Sequence, residues 1–250
     1  MNFEEKIASA AEWIRAAKGN VCVFTGAGIS VESGIPPFRG PGGLWHKYDP
    51  DFIELHSFHA DPERCWAQIR EVFYDNWGAA EPNGAHRALA ELERRGFLSG
   101  VVTQNIDCLH QRAGSQKVWE FHGTLDKLLC TKCAARFDAA RELLNKKIPS
   151  CPKCGGLLKP DFVFFSEGIP EAAFQASFEA AENCSVLLVI GTTGEVMPAC
   201  QVPLTAKRAG AKIIEINLQE SAYTRRITDL FLPGKAVAVM EQLLKQTVSR

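Results

Sequence analysis

Val21-Cys22-Val23-Phe24-Thr25-Gly26-Ala27-Gly28-Ile29-Ser30 is an apolar run that passes without a break into a glycine turn. A strand with no polar alternation is buried on both faces, the situation of a strand in a parallel sheet covered by helices. The turn that follows leaves backbone N–H groups bare, so a pyrophosphate can approach a helix start closely. A plain tight turn reads the same way over these few residues. Two marks of the dinucleotide fingerprint are missing, because Val31 stands where the third glycine belongs and no acidic residue ends a second strand about 20 residues on.

Working outward, similar apolar strands occur at Val101–Thr103, Val186–Ile190 and Lys212–Ile216. Between them lie helical patterns at 84–95, 198–209 and 236–245. An opening helix at 3–17 carries Phe3, Ile7, Ala10, Ala11 and Ile14 on one stripe and ends before Gly19. Strands alternating with helices predict an α/β fold built on a Rossmann-like parallel sheet. The stretch Pro36-Pro37-Phe38-Arg39-Gly40-Pro41-Gly42-Gly43 is too rich in proline and glycine for regular structure and predicts a surface loop beside the turn.

Four of the nine cysteines form two pairs, Cys130-Thr131-Lys132-Cys133 and Cys151-Pro152-Lys153-Cys154, separated by the 17 residues 134–150. That spacing predicts a closed four-thiolate zinc site, structural because no coordination position is left open. A redox dithiol or an iron-sulfur cluster suits the spacing less well. The module predicted around the quartet spans 125–159, inserted between 1–124 and 160–250 of the sheet domain. The other five cysteines stand singly, so no disulfide framework is expected and the compartment is reducing, hence cytoplasmic.

The formal charge, 28 basic minus 29 acidic, is −1. No global field would hold nucleic acid or an anionic membrane, and none is expected as a partner. No apolar run reaches the length of a membrane span, and Glu4 and Glu5 stand where a signal peptide needs basic residues.

Thr103-Gln104-Asn105-Ile106-Asp107 sets polar side chains at the carboxyl end of a strand, where the ligand crevice of such a sheet opens. Asn105 and Asp107 could equally cap a helix beginning at Cys108. His122, in Phe121-His122-Gly123-Thr124, lies at the seam between sheet domain and cysteine module, and a histidine in such a cleft is a candidate general base.

Taken in order, the glycine turn with Ser33-Gly34-Ile35-Pro36-Pro37-Phe38-Arg39, Thr103–Asp107, Phe121-His122-Gly123, the cysteine quartet, Lys159-Pro160-Asp161-Phe162-Val163-Phe164-Phe165-Ser166-Glu167 and Ile216-Asn217 resemble the sirtuins. The resemblance spans residues 20 to 240. It implies an NAD-dependent protein-lysine deacetylase or deacylase, which consumes NAD and releases nicotinamide, O-acetyl-ADP-ribose and free lysine from acyl-lysine proteins or peptides. Mono-ADP-ribosyl transfer to protein is the alternative the same pocket allows. Hydride transfer is disfavoured by the absent acidic ribose ligand.

Residue by residue, the resemblance implies that Gly26, Ala27, Gly28 and Ser30 hold the pyrophosphate and that Phe38 and Arg39 close over the nicotinamide. Gln104, Asn105, Ile106 and Asp107 line the nicotinamide and ribose pocket. Gly191, Thr192, Thr193, Asn217, Leu218 and Ala236 contact adenosine. His122 is the implied general base, with Asn105 as the second catalytic residue. His122 also walls the acyl-lysine tunnel, and Val163, Phe164 and Phe165 align the peptide by strand-like pairing. The chain departs from the family at Pro37, at Ser166 in place of a frequent glycine, and at Thr193-Gly194-Glu195. Sirtuins that prefer acidic acyl groups carry Tyr-x-x-Arg in the helix after the cofactor loop; aligned on Trp66, those positions here are Ile69 and Val72, with Arg70 one residue off.

Overall fold

The computed structural model describes residues 1–39 and 42–249, so Gly40 and Pro41 of the proline-glycine loop and Arg250 lie outside the described residues. Six strands form one sheet: β1 (Val21–Thr25), β2 (Leu98–Thr103), β3 (Val118–Glu120), β7 (Val186–Ile190), β8 (Lys212–Asn217) and β9 (Leu230–Pro233). Their order across the sheet is β3-β2-β1-β7-β8-β9, and every pairing is parallel. The order reverses between β1 and β7, and such a reversal opens a ligand crevice at the carboxyl ends of the two strands.

The unbroken apolar runs are explained by two cores. Val21 and Val23 of β1, with Val186, Leu188 and Ile190 of β7, pack against helices Phe3–Ala16, Gly84–Arg94 and Ala236–Val248. Cys22, Phe24, Leu187 and Val189 point the other way, with Ala181 and Val202 of helices Glu171–Asn183 and Gln201–Arg208. Successive side chains leave a strand on opposite faces, so a strand covered on both sides has no polar position to spare.

A second sheet holds the cysteines. It is antiparallel, in the order β5-β4-β6, with β4 (Gly123–Cys130), β5 (Arg136–Asp138) and β6 (Leu158–Phe162). Leu125, Leu128 and Leu158 share a third core with Phe52, Phe58, Trp66, Ile69, Val72, Phe73 and Trp77. The stretch from Ile35 to Ala80 therefore packs on the cysteine module, through a core separate from the two that cover the large sheet. Trp66 Nε1–H donates to Leu158 O at 2.9 Å, tying helix Pro62–Ile69 to β6.

Helix Phe3–Ala16 begins with a capping box between Asn2 and Glu5, and helix Gly84–Arg94 with one between Asn83 and His86. The sequence reading did not identify β3, β9 or helix Glu171–Asn183; the resemblance placed Ile69 and Val72 on a helix after the cofactor loop without giving its bounds, and that stretch is helical over 62–75. The strands are three and four residues long, and helix Glu171–Asn183 buries only Ser177 and Ala181, too little for an apolar stripe.

Candidate active site

Two chain reversals meet where the strand order switches. Gly26 N donates to Ile190 O at 3.0 Å and Gly28 N to Gly191 O at 2.8 Å, so the turn after β1 rests on the turn after β7. A Cβ on Gly28 would lie 2.6 Å from Gly191 Cα, and one on Gly191, where φ is +63°, would lie 2.5 Å from Ile29 N. Glycine is required because backbone meets backbone, which adds to the phosphate argument made from the sequence.

The helix start expected after Gly26 is instead a seven-residue 3-10 helix, Ala27–Ser33, ended by Gly34 at φ +87°. Asn83 braces it. The Asn83 amide donates to Ile29 O at 2.7 Å and to Ser33 Oγ at 3.0 Å, so it holds both a carbonyl and a side chain of the turn. The same side chain accepts from Ala85 N at 2.9 Å, so one residue caps a helix and shapes the turn.

Side chains from the end of β2 close the floor of the crevice. Ser30 Oγ–H donates to Asp107 Oδ2 at 2.6 Å, and Asn105 Nδ2 donates to Gly26 O and Ser30 Oγ, both at 3.2 Å. The Asn105 amide hydrogens are thereby spent, so what it offers a ligand is its Oδ1 acceptor. Burial raises the Asp107 carboxyl above its usual range, opposed by the Ser30 hydroxyl and by the Leu109 amide, which donates to Oδ1 at 3.0 Å. Across the switch, Gln104 Nε2 donates to Thr192 Oγ1 at 3.1 Å, and Asn217 Nδ2 donates to Thr192 O at 2.9 Å. Ser30, Gln104, Asn105, Asp107, Gly191, Thr192 and Asn217 thus form one hydrogen-bonded surface at the carboxyl ends of β1, β2, β7 and β8.

His122 borders this surface. Its Nδ1 lies 3.1 Å from Gln104 O, and a carbonyl oxygen can only accept, so Nδ1 carries the proton and Nε2 is left as the basic nitrogen. Burial lowers the imidazole pKa below its ordinary 6.5, although the Gln104 carbonyl opposes that. Val163 N donates to His122 O at 2.9 Å, which joins the candidate base to the segment read as peptide-binding.

That segment is more committed than its sequence suggests. Phe164 N is held by Glu167 Oε2 at 2.7 Å, Phe165 N by Ile53 O at 2.9 Å, and Phe165 O accepts from Leu55 N at 3.3 Å. The Phe164 ring is buried edge-on against Phe58 and lies 5.0 Å from Phe162, and its carbonyl accepts from Glu167 N at 3.1 Å, so neither its ring nor its backbone is left for a peptide. Among the described hydrogen bonds, the Val163 carbonyl and the Ser166 amide and carbonyl remain for an incoming strand.

Ser166 has φ +70°, the left-handed region that glycine favours. The Ser57 amide first, and the Ser166 hydroxyl among others, hold the Glu54 carboxyl below its usual range. Both groups are solvent-accessible, so the backbone term decides. Ser166→Gly is expected to raise stability in urea unfolding by up to about 1 kcal/mol; a loss of stability would show that the hydroxyl matters more than the strain.

Phe38 lies against Trp45 and Trp77, with ring centroids 5.4 and 5.9 Å away, while Arg39 is exposed. Trp45 in turn reaches Phe165, at 6.3 Å, so an aromatic wall runs from the cofactor loop to the candidate peptide segment. Thr193 and Leu218 are exposed, and Ala236 starts the last helix, where the next residue's amide donates to Glu32 Oε2. None of these three enters the hydrogen-bonded surface.

Several residues behind the site escaped the sequence reading. Besides Asn83, these are the buried pair His86 and His110, their rings 4.9 Å apart. His110 Nε2 lies 3.0 Å from Thr25 Oγ1, which donates to Thr103 Oγ1, and that oxygen accepts from Asn105 N at 3.1 Å. Burial lowers the His86 pKa to about 4 and puts His110 well below its ordinary value, so both are neutral at pH 7. Glu215 is buried on β8 and accepts from Ser221, Thr224 and Thr228, which folds the loop after Asn217. A local signal existed only for Asn83, as a cap residue before a helical pattern; the others depend on partners far away in the chain.

The four cysteines lie together, their Sγ atoms all within 4.8 Å of one another. Cys130 and Cys154 Sγ are 3.5 Å apart, Cys133 and Cys151 Sγ 3.8 Å apart. A tetrahedron with Zn–S bonds of about 2.3 Å has sulfur–sulfur edges of about 3.8 Å, so the donor set fits zinc, and the distances exclude disulfides. Each pair sits on a similar turn, with Ala134 N donating to Cys130 O and Gly155 N to Cys151 O, Ala134 and Gly155 both having positive φ. Amides of Lys132 and Cys133 point at Cys130 Sγ, an arrangement that favours the thiolate.

The Sir2 family pattern matches residues 26–198, which include the glycine turn, the β2 end, His122 and the quartet. NAD-dependent protein deacylase 2 of Pyrobaculum aerophilum is 45% identical over 243 residues, 94% of either chain. Among solved structures, one described under the mechanism and regulation of Sir2 enzymes has a TM-score of 0.88 at 42% identity over 98% of both chains. A Sir2 protein solved with a p53 peptide and NAD+ has a TM-score of 0.86 at 32% identity, again over 98% of both. On the breadth of these matches, the chain belongs to the Sir2 family.

Proposed function

We propose that this chain is an NAD-dependent protein-lysine deacylase, converting NAD and an acyl-lysine protein or peptide into nicotinamide, O-acyl-ADP-ribose and free lysine. The observation that carries the reading is His122, a half-buried imidazole whose Nδ1 proton is given to Gln104 O, leaving a basic Nε2 beside the crevice. Deacylation needs a base to deprotonate a ribose hydroxyl; glycosidic cleavage and ADP-ribosyl transfer alone do not. Relatives named as NAD-dependent deacylases and a family structure holding peptide and NAD+ support the same substrates here.

NAD supplies the electrophilic ribose carbon, which the acyl oxygen attacks as nicotinamide leaves. The chain's own residues bind, orient and move protons. Gly26, Ala27, Gly28 and Ser30 form the pyrophosphate turn, supported by the fit of that turn onto Gly191. Gln104, Asn105, Ile106 and Asp107 line the nicotinamide ribose, with Phe38 and Arg39 above it. Asn105 acts beside the base by presenting its Oδ1. Gly191, Thr192, Thr193, Asn217, Leu218 and Ala236 border the adenosine. The Val163 carbonyl and the exposed Phe165 ring meet the peptide, and Phe164, its ring buried and its amide held by Glu167, fixes their places. Zinc on Cys130, Cys133, Cys151 and Cys154 is structural.

We assign 1–124 and 160–250 to the NAD-binding domain and 125–159 to the zinc module, whose antiparallel sheet runs past both bounds, from Gly123 to Phe162, and on which the apolar cluster from Ile35 to Ala80 packs. The cysteine usage, four in the metal quartet and five standing singly, supports a reducing, cytoplasmic compartment. No helix among the described residues is long and apolar enough to cross a membrane. The near-zero net charge supports protein substrates over nucleic acid.

Mass spectrometry of an acetyl-lysine peptide incubated with NAD separates the two reactions. The deacylase reading requires loss of the acetyl mass; a peptide that keeps it and gains ADP-ribose would establish the transferase.

The acyl group is expected to be neutral. Ile69 and Val72 are fully buried in the apolar cluster that also holds Phe38, Trp45 and Trp77. Arg70 is turned away: its guanidinium donates to the carbonyls of Leu144, Lys146 and Lys147 at 3.3, 2.9 and 3.0 Å, and lies over the Trp66 ring. A carboxylate brought against Ile69 and Val72 meets no cation from this helix, at a cost of several kcal/mol. An acetyl-lysine peptide should therefore exceed its succinyl counterpart in kcat/KM by at least about tenfold. A succinyl peptide that won by that margin would mean that Arg70 leaves those carbonyls to bind it.

A further inference from the structure

Lys159, on β6, is 3% exposed, an unusual position for a lysine; it opens the Lys159–Glu167 motif, in which neither the resemblance nor the sequence assigned it a role. An ammonium has three protons to donate, and Lys159 has three acceptors: Pro160 O at 3.1 Å, Phe162 O at 2.7 Å and Glu167 Oε2 at 2.9 Å. It also lies 4.3 Å from the centre of the Phe164 ring. Glu167 Oε2 accepts from Phe164 N as well, and Glu167 N donates to Phe164 O at 3.1 Å. The pair therefore grips the chain on both sides of Val163, at the Phe162 carbonyl and the Phe164 amide. Burial lowers the Lys159 pKa, an effect Glu167 opposes.

A buried ion pair is a poor way to gain stability, since apolar residues of similar size often do as well or better. What this pair supplies is backbone direction. Phe162 still pairs with Gly123 in the small sheet, and Phe165 pairs with Ile53 and Leu55 on the other side. The chain changes partners within three residues, and a free Phe164 amide in that stretch would have no acceptor. Regular continuation of β6 would carry Val163 and Ser166 out of their present places, and with them the groups still available to a peptide.

We infer that Lys159 and Glu167 are positioning residues for the acyl-lysine peptide, setting the path of Val163–Ser166 without touching the substrate. The inference rests on the deacylase reading. Its test uses the full-length protein and four measurements: anisotropy of a fluorescein-labelled acetyl-lysine peptide, NAD affinity by calorimetry, zinc content, and nicotinamide release. The Lys159→Met, Glu167→Leu double variant leaves no unpaired charge. It should keep its zinc and bind NAD within about twofold of wild type while losing at least about tenfold in peptide affinity. Glu167→Gln preserves volume and an acceptor for the Phe164 amide, so it should weaken the peptide by a smaller factor with NAD affinity intact. That variant decides the matter if the double variant does not fold.

Unchanged peptide affinity in the folded variants, or peptide and NAD affinity falling together, would overturn the inference and leave the deacylase reading standing, provided wild type releases nicotinamide. A wild-type protein that binds no acyl-lysine peptide removes both.

Discussion

Replacing His122 by alanine lowers deacylation of an acetyl-lysine peptide by at least about 100-fold, the usual scale for a positioned general base. NAD affinity should hardly change, because the base acts after the cosubstrate is seated and the Ser30–Asp107–Asn105 hydrogen bonds do not involve it. The pH profile provides a second check. Only the neutral imidazole is a base, and burial lowers its pKa below 6.5. The active form is therefore complete at neutral pH, and the acid limb of kcat/KM should lie below pH 6.5. Near-normal turnover in the alanine variant removes His122 from the mechanism; an acid limb above pH 7 contradicts the burial argument.

Cys151→Ser is expected to have an effect as large, by another route. A four-thiolate site contributes binding free energy that is also folding free energy, on the order of 10 kcal/mol in small zinc modules. Losing one thiolate should release the metal and loosen the β5-β4-β6 sheet. Damage spreads because Cys130 and Cys151 share a core with Trp66, Ile69 and Phe73, the helical stretch that backs the aromatic wall. Wild type should contain one equivalent of zinc, and the variant should lose both zinc and activity while retaining the parallel sheet's circular dichroism. A metal-free wild type with a fully cooperative thermal transition would remove the structural role of zinc.

The large sheet could be read from the sequence because each of its central strands is covered on both faces, which leaves a signature in the residues themselves. Val21 to Phe24 alternate between two apolar cores, so all four had to be apolar. The cysteine quartet was legible for a similar reason: metal ligation fixes both residue type and spacing. The candidate site was legible only in part. Ser30, Gln104, Asn105, Asp107 and His122 stand at strand ends or a domain seam, where position alone raises the expectation of a ligand.

What could not be read depends on contacts far along the chain. Nothing near Asn83 announces that its amide will reach the Ile29 carbonyl and brace the 3-10 turn from 54 residues away. The close approach of Gly191 to Gly28 joins residues on either side of the strand-order switch. Lys159 and Glu215 look like surface charges until their partners are known. The segment Val163–Phe165 shows the limit most clearly, since its pairing capacity, the Val163 carbonyl excepted, is already committed to His122, Glu167, Ile53 and Leu55.

The central claim is that NAD is consumed in step with lysine deacylation. One measurement tests it most directly: a single acetyl-lysine peptide is incubated with NAD and the purified protein, and nicotinamide, free-lysine peptide and acetylated ADP-ribose are quantified by mass spectrometry over time. Equal amounts of all three, with none formed when the peptide is omitted, is the result expected. Reduced nicotinamide cofactor, or nicotinamide released while the peptide keeps its acetyl group, would contradict it.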